Sequence, residues 1–534
     1  MSVRKGIVLI VTLATLSLLV ACGSSSPTPV APPSGGYSAS NLNGTYVFSV
    51  SGTDVNALPY AIVGAFTANG SGGITGGTID VNDEAFADSS PVIPPVGDAA
   101  ISSNSSYKVG VDGRGQATLD TATPFGTIKL DFVLSSNAHG LVTEFDNEAS
   151  GSGTLDLQAS GVTPTGNYAF SFSGSDASGV FATVGNFTLG SGNSITGLAD
   201  FNSGGAAYVS QVLSGSVILG PSATPSTVLS TTSFAGLTFD VYAIDATHLK
   251  FIELDSFGTL SGDAFSQTST TVPTGTLAFT LTGFISSSEP FAAGGFMVTD
   301  GAGNITTAST EDYNEDGTPS SASVPFSAIY TSAGAGRYTL SNFSDFIGGS
   351  LYAAYPSSGG LLLLEIDGLG AITVGAAYPQ TTTTFSASQG YALNLSGDNL
   401  ADGVEVDDIA EFTTASGGTL TGIIDENYDP DNTSPIYDQT LTGNYGAIDT
   451  TGRYGISATS GTSSSNGTLN GGFGLTLYSV DGTTFPFIES DSGQVSTGVL
   501  VAQSGSSGTS DAARSHMFIP RPLVRPHAAK QKKK

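Results

Sequence analysis

Four landmarks recur in the same order four times along the 534-residue chain, and this repetition limits the fold more than any other feature. An opening strand reads GTYVFSVSG from Gly44, GNYAFSFSG from Gly166, GTLAFTLTG from Gly275 and QGYALNLSG from Gln389. Apolar residues such as Tyr46, Phe48 and Val50 fall at alternate positions, as a strand with one buried face requires. A second pair of strands around a glycine turn then ends on Asp-x-Asn, at Asp80/Asn82, Asp200/Asn202, Asp312/Asn314 and Asp425/Asn427. Later come Glu-x-Asp, at Glu144/Asp146, Glu253/Asp255, Glu365/Asp367 and Glu489/Asp491, and a glycine followed five residues on by Gln158, Gln267, Gln380 or Gln503.

The Asp-x-Asn positions are 120, 112 and 113 residues apart, so each copy is a whole domain and not a solenoid unit. The expected divisions are 38–160, 161–269, 270–382 and 383–505. Gly at 71 residues, 11% charged residues and no helical periodicity after the N-terminus point to an all-β chain. About eight strands with hairpin-sized connections in each copy predict antiparallel meanders that close into up-and-down barrels, which removes exposed edges. A two-sheet sandwich is the alternative with the same strand count. The Gly-x-Tyr opening followed by a meander resembles the avidin and lipocalin barrels, although the tryptophans of those families are absent.

The N-terminus is of another kind. MSVRKGIVLIVTLATLSLLVACGSSS carries Arg4 and Lys5 before an apolar run too short for a comfortable membrane span, the pattern of an export signal over residues 1–21. Leu19-Val20-Ala21-Cys22 resembles the lipobox of bacterial lipoproteins, and Cys22 is the single cysteine of the chain. The resemblance implies cleavage before Cys22, acylation of its thiol and amine, and anchoring in a bacterial envelope membrane. Gly23 after the cysteine implies the outer membrane, its periplasmic or surface face being left open. Two or more acyl chains hold a protein stably on a bilayer. The Ser/Pro/Gly stretch 22–37 is expected to be an extended tether, on the order of 40 Å at ~3.1 Å per residue. With one cysteine no intrachain disulfide can form.

Charge excludes one class of partner. Between Gly23 and Ser510 stand only Lys108, Arg114, Lys129, Lys250, Arg337 and Arg453 against 44 of the 45 acids, a surface that repels nucleic acid. Seven basic residues fall in the C-terminal segment 506–534, expected to be a disordered tail, with contact to anionic lipid headgroups as the alternative.

Three constellations are candidates for chemistry. DYNEDG, Asp312 to Gly317, matches the first half of a calcium loop through Asp312, Asn314 and Asp316, and Asp425, Asn427 and Asp429 repeat the spacing. The competing reading is that Asp and Asn hold a turn by hydrogen-bonding its backbone. The Glu-x-Asp pairs put two carboxylates on one strand face, as glycoside hydrolysis uses, but four identical copies single out no catalytic one; solvated or turn-holding carboxylates are the simpler reading. His139 and His248 hold equivalent places in the first two copies and read as loop residues. The expectation is therefore a lipid-anchored, non-enzymatic envelope protein without a cofactor, calcium apart, that binds glycan or protein partners or serves structurally. Binding of a small hydrophobic ligand in the barrels is the alternative, and an envelope enzyme the remoter one.

Overall fold

The computed structural model describes residues 36–85, 93–218, 226–230, 237–286, 289–401, 403–428, 435–460 and 472–505. The signal segment with Cys22, the tether up to residue 35, Asp429 and the basic tail lie outside the described residues.

The described chain is nearly all antiparallel strand, in four successive sheets within one compact unit. The second sheet, from strand Gly166–Asp176 to strand Gly258–Ser266, and the fourth, from Gly390–Asn399 to Gln494–Ala502, are closed eight-stranded barrels in meander order. The third closes through pairing of Glu289–Thr299 with Asn304–Glu315, and adds the two-residue strand Thr318–Pro319 at its rim. The first departs from the eight-stranded expectation. Its fourth strand is interrupted between Val96–Ile101 and Ser106–Val109, giving nine strands and an open order. Backbone bonds from Ser102 to Asp120, Ala122 to Ala100 and Tyr107 to Gly72 bridge the seam.

The alternation seen in the sequence fills each barrel. In the first, Tyr46, Phe48, Val50, Ile62, Phe66, Leu130 and Phe132 form the interior core. Phe48, Phe170 and Phe279 each lie directly opposite a glycine of the second strand, Gly64, Gly185 and Gly295. A Cβ on Gly64 or Gly185 would stand 2.7 or 2.5 Å from the opposing ring, so the small residue is what admits the large one. The fourth barrel carries Leu393 opposite Ala410 there.

The outward faces are also buried where barrels meet. Val47, Ala61 and Val63 of the first barrel pack on Tyr242, Ile244 and Ile252 of the second. Ala278, Ala292 and Phe296 of the third pack on Tyr478, Ile488 and Val495 of the fourth. Val133 and Leu141 of the first pack on Ala392, Ile409, Val499 and Val501 of the fourth, and the second barrel meets the third through Val180, Val184, Tyr355 and Leu362. First joins second, second third, third fourth, and fourth first: the barrels form a closed ring. Among the described residues no helix is long and apolar enough to cross a membrane.

Candidate functional site

The residues repeated four times converge on the joints. Asn82 donates its side-chain amide to the Glu253 and Gly258 carbonyls of the second barrel, both at 2.9 Å. Asn202 reaches Glu365 and Ala371 of the third, Asn314 reaches Glu489, Asp491 and Gln494 of the fourth, and Asn427 reaches Glu144 and Ala149 of the first. Each Asn thus holds the turn after Glu-x-Asp in the next barrel. The four glutamines do the same one strand away: Gln158 donates to Ala243, Gln267 to Pro356, Gln380 to Ser479 and Gln503 to Leu134, at 2.7 to 3.0 Å.

The Asp of each Asp-x-Asn is two residues before its Asn on the same outward face, so it meets the same neighbour. Arg337 grips Asp200 with Nε and Nη2 at 2.6 and 2.7 Å, and Arg453 grips Asp312 at 2.8 and 2.9 Å. Arg114 reaches Asp425 at 3.2 Å and Asp438 at 2.8 Å. The Tyr355 and Tyr478 hydroxyls donate to the same Asp200 and Asp312 carboxylates. The fork-shaped, charge-assisted pairs of Arg337 and Arg453 are strong and directional; the Arg337 pair is withdrawn from water, while Arg453, Arg114 and Asp438 keep some exposure.

This geometry settles where the expected calcium ligands stand. A guanidinium meets Asp312 and Asp425, and the amides of Asn314 and Asn427 donate to carbonyls. Asp316 is exposed in the turn after its strand. The alternate spacing that resembles a calcium loop serves in the structure to set an acid and an amide side by side against the next barrel. The three arginines were not marked by spacing. Their signal in the sequence is the dipeptide Gly-Arg, at Gly113, Gly336 and Gly452, which occurs in three copies and is missing from the second.

The Glu-x-Asp carboxylates divide their roles. Each Asp accepts two backbone N–H groups, one two residues ahead and one seventeen residues back, for example Glu148 and Lys129 on Asp146, or Gly493 and Gly474 on Asp491. Each Glu is buried. Burial first, and then the charge of the neighbouring Asp, push Glu144 and Glu489 well above the ordinary carboxyl range and Glu365 to about 9, and burial followed by the hydrogen bond with Asp255 pushes Glu253 to about 11. These are buried carboxyls under a joint, not a solvated pair.

His139 and His248 are buried at the starts of strands, a correction to their reading as loop residues. Each bonds a carboxylate of its own barrel, His139 to Asp156 at 2.7 Å and His248 to Asp263 at 2.8 Å. Lys250 links the two barrels through Thr154 at 2.8 Å and Asp263 at 3.0 Å. Burial alone would raise Asp156, but the His139 beside it holds it below the ordinary carboxylate value.

Among the described residues, the second barrel leaves little interior space. A pocket of about 30 Å³ within the second barrel is lined by Phe170, Phe172, Phe181, Phe201, Phe239 and Leu260. Sites for drug-sized ligands are about 300–1,000 Å³.

No family model matches the chain, and no curated protein matches it. Among solved structures, transferrin binding protein B from Haemophilus parasuis Hp5 is similar at 9% identity over 68% of this chain and 83% of that one, with a TM-score of 0.19. The same protein from serogroup B Neisseria meningitidis is similar at 11% identity over 66% and 79%, with a TM-score of 0.21. At such scores the likeness carries no argument about function.

Proposed function

We propose that the chain is a lipid-anchored protein of the bacterial cell envelope, in the outer membrane, whose ring of β barrels is a non-catalytic binding or structural module for glycan or protein partners. The observation that carries the reading is the use of the repeated polar residues: Asp, Asn, Glu and Gln of all four copies are engaged within or between barrels. A repeated set of reactive groups open to substrate is not what these positions form. The interiors, packed with ring against ring such as Phe170 on Phe172 at 4.7 Å, favour ligands on the outer surface over ligands inside. Anchoring rests on Leu19-Val20-Ala21-Cys22 at the end of the apolar run.

The test of anchoring is metabolic labelling with an alkyne palmitate analogue in a Gram-negative host. Wild type should take up label and sediment with outer membranes, and Cys22→Ser should lose both properties. Unlabelled wild type would remove the anchor from the reading. The binding role is checked by applying the full-length chain, in detergent, to a glycan array and to immobilised envelope and extracellular-matrix proteins; no retention on any of them would leave only the structural role.

A further inference from the structure

Three joints set a guanidinium against the Asp of Asp-x-Asn, and the joint of the first barrel with the second does not. No Lys or Arg occurs between Lys129 and Lys250, and Lys250 is engaged with Thr154 and Asp263. Asp80 instead faces Asp240 of the second barrel and Asp98 of its own. One oxygen from each of the three lies within 4.8 Å of the others.

The joint of the fourth barrel with the first provides the comparison. Asp425, Asp438 and Asp131 hold the places of Asp80, Asp98 and Asp240. Asp98 and Asp438 each follow a register shift in the strand pairing, each with φ at 53°, and each donates its N–H to the Asp of the motif. Asp131 and Asp240 lie opposite the residue just before Glu144 and Glu253. In that joint Arg114 stands among the carboxylates, bonded to Asp425 and Asp438. The two joints are one acidic frame, with a cationic side chain in one and, among the described residues, none in the other.

A second observation points to a ligand. Asp80 is wholly buried; its Oδ1 accepts the Asp98 N–H and the Tyr242 hydroxyl stands by its carboxyl, but its Oδ2 has no hydrogen-bond partner of good geometry. An unmatched carboxylate oxygen in such a place is costly, and buried polar atoms are ordinarily satisfied. Gly97 permits the close approach: a Cβ there would stand 2.9 Å from the Leu254 side chain and 3.6 Å from Asp240.

We propose that this joint binds one calcium ion between Asp80, Asp98 and Asp240, in the place that Arg114 fills in the joint of the fourth barrel with the first. All three donors are hard oxygens, and calcium–oxygen distances of about 2.3–2.6 Å let one ion span them. Asp98 is exposed, so water can complete the 6–8 ligands that calcium takes.

The test is calorimetric titration of the full-length chain, in detergent and stripped of metal by EDTA, with calcium chloride and separately with magnesium chloride. One calcium per chain is expected, with affinity lowered at least about tenfold in Asp98→Asn and in Asp240→Asn. Asp98→Asn alters an exposed side chain and so keeps the test open if Asp240→Asn does not fold. Asp438→Asn, at the joint closed by Arg114, should leave calcium binding unchanged. No heat at millimolar calcium, equal binding by wild type and Asp98→Asn, equal loss in Asp438→Asn, or response to magnesium in place of calcium would each overturn the assignment.

Discussion

A single arginine meets the Asp of Asp-x-Asn at each of three joints, and the cost of removing it depends on what is left behind. Arg337→Met leaves Asp200, which is fully buried, with its charge unmatched, and should lower stability by about 3–5 kcal/mol. Replacing Asp200 by Asn in the same chain should recover much of that loss, because the cost lies in the stranded charge. Calorimetry of the two single variants and the double variant checks this; additive losses would mean that the two side chains do not act as a pair. Asn202→Ala is milder, about 1–3 kcal/mol, since it strands two carbonyls and no charge. At this scale the sequence displayed which residues matter without displaying why. Asp312 and Asn314 are legible as a recurring pair, but their partners Arg453 and Gln494 lie more than 140 residues away, and spacing along one chain carries no information about a neighbour so remote. Asp98 and Asp240 were invisible for the same reason, as neither belongs to a recurring motif.

Strands and turns were more readable, because their causes are local. Alternation in GTYVFSVSG follows from a pleated backbone with one face inward, and the hairpin glycines follow from turns. The landmark glycines before each Gln have a further cause: a Cβ on Gly153, Gly262, Gly375 or Gly498 would come within about 2 Å of a carbonyl oxygen on the paired first strand, at Ser49, Ser171, Thr280 and Asn394. The split strand of the first barrel was not foreseen, since the interruption at Ser102 to Ser105 looks like any other turn. Arg114→Met should open the frame of Asp425, Asp438 and Asp131, and raise the calcium stoichiometry of the full-length chain from one to two, measured by the same titration. A stoichiometry that stays at one would show that the frames are not equivalent.

The molecule as a whole is a ring of acids with few bases, and many carboxyls are buried. Burial, joined by neighbouring carboxylates at most of them, raises Asp407 to about 6, Asp83 and Asp131 to about 7, and Glu311 and Glu411 to about 8. An unfolded carboxyl titrates near about 4. Between those values the folded chain holds more protons than the unfolded one, so stability is highest near pH 4–5 and falls as pH rises toward about 9. Scanning calorimetry in EDTA should give a higher Tm at pH 5 than at pH 8.5, and a flat or rising profile would contradict the burial of these groups. Closure of the ring gives another expectation. Gly505 donates its N–H to the Tyr37 hydroxyl at 3.2 Å, and Ser504 bonds Ser135, so the first and last described turns adjoin. A circular permutant that begins at Thr270 and links Gly505 to Gly36 by a few glycines should keep the same circular dichroism and a Tm within a few degrees. The order of the four barrels was legible from the repeats; their closure was not, because the fourth copy bonds the first across the length of the chain.

That closure changes how the protein would carry load. A string of domains passes tension through each member in turn, and fails at the weakest linker. Here a pull between a tether at Gly36 and a partner on the third barrel has two routes, one through the second barrel and one through the fourth. Each barrel interface then bears part of the force, and rupture of one leaves the other route intact.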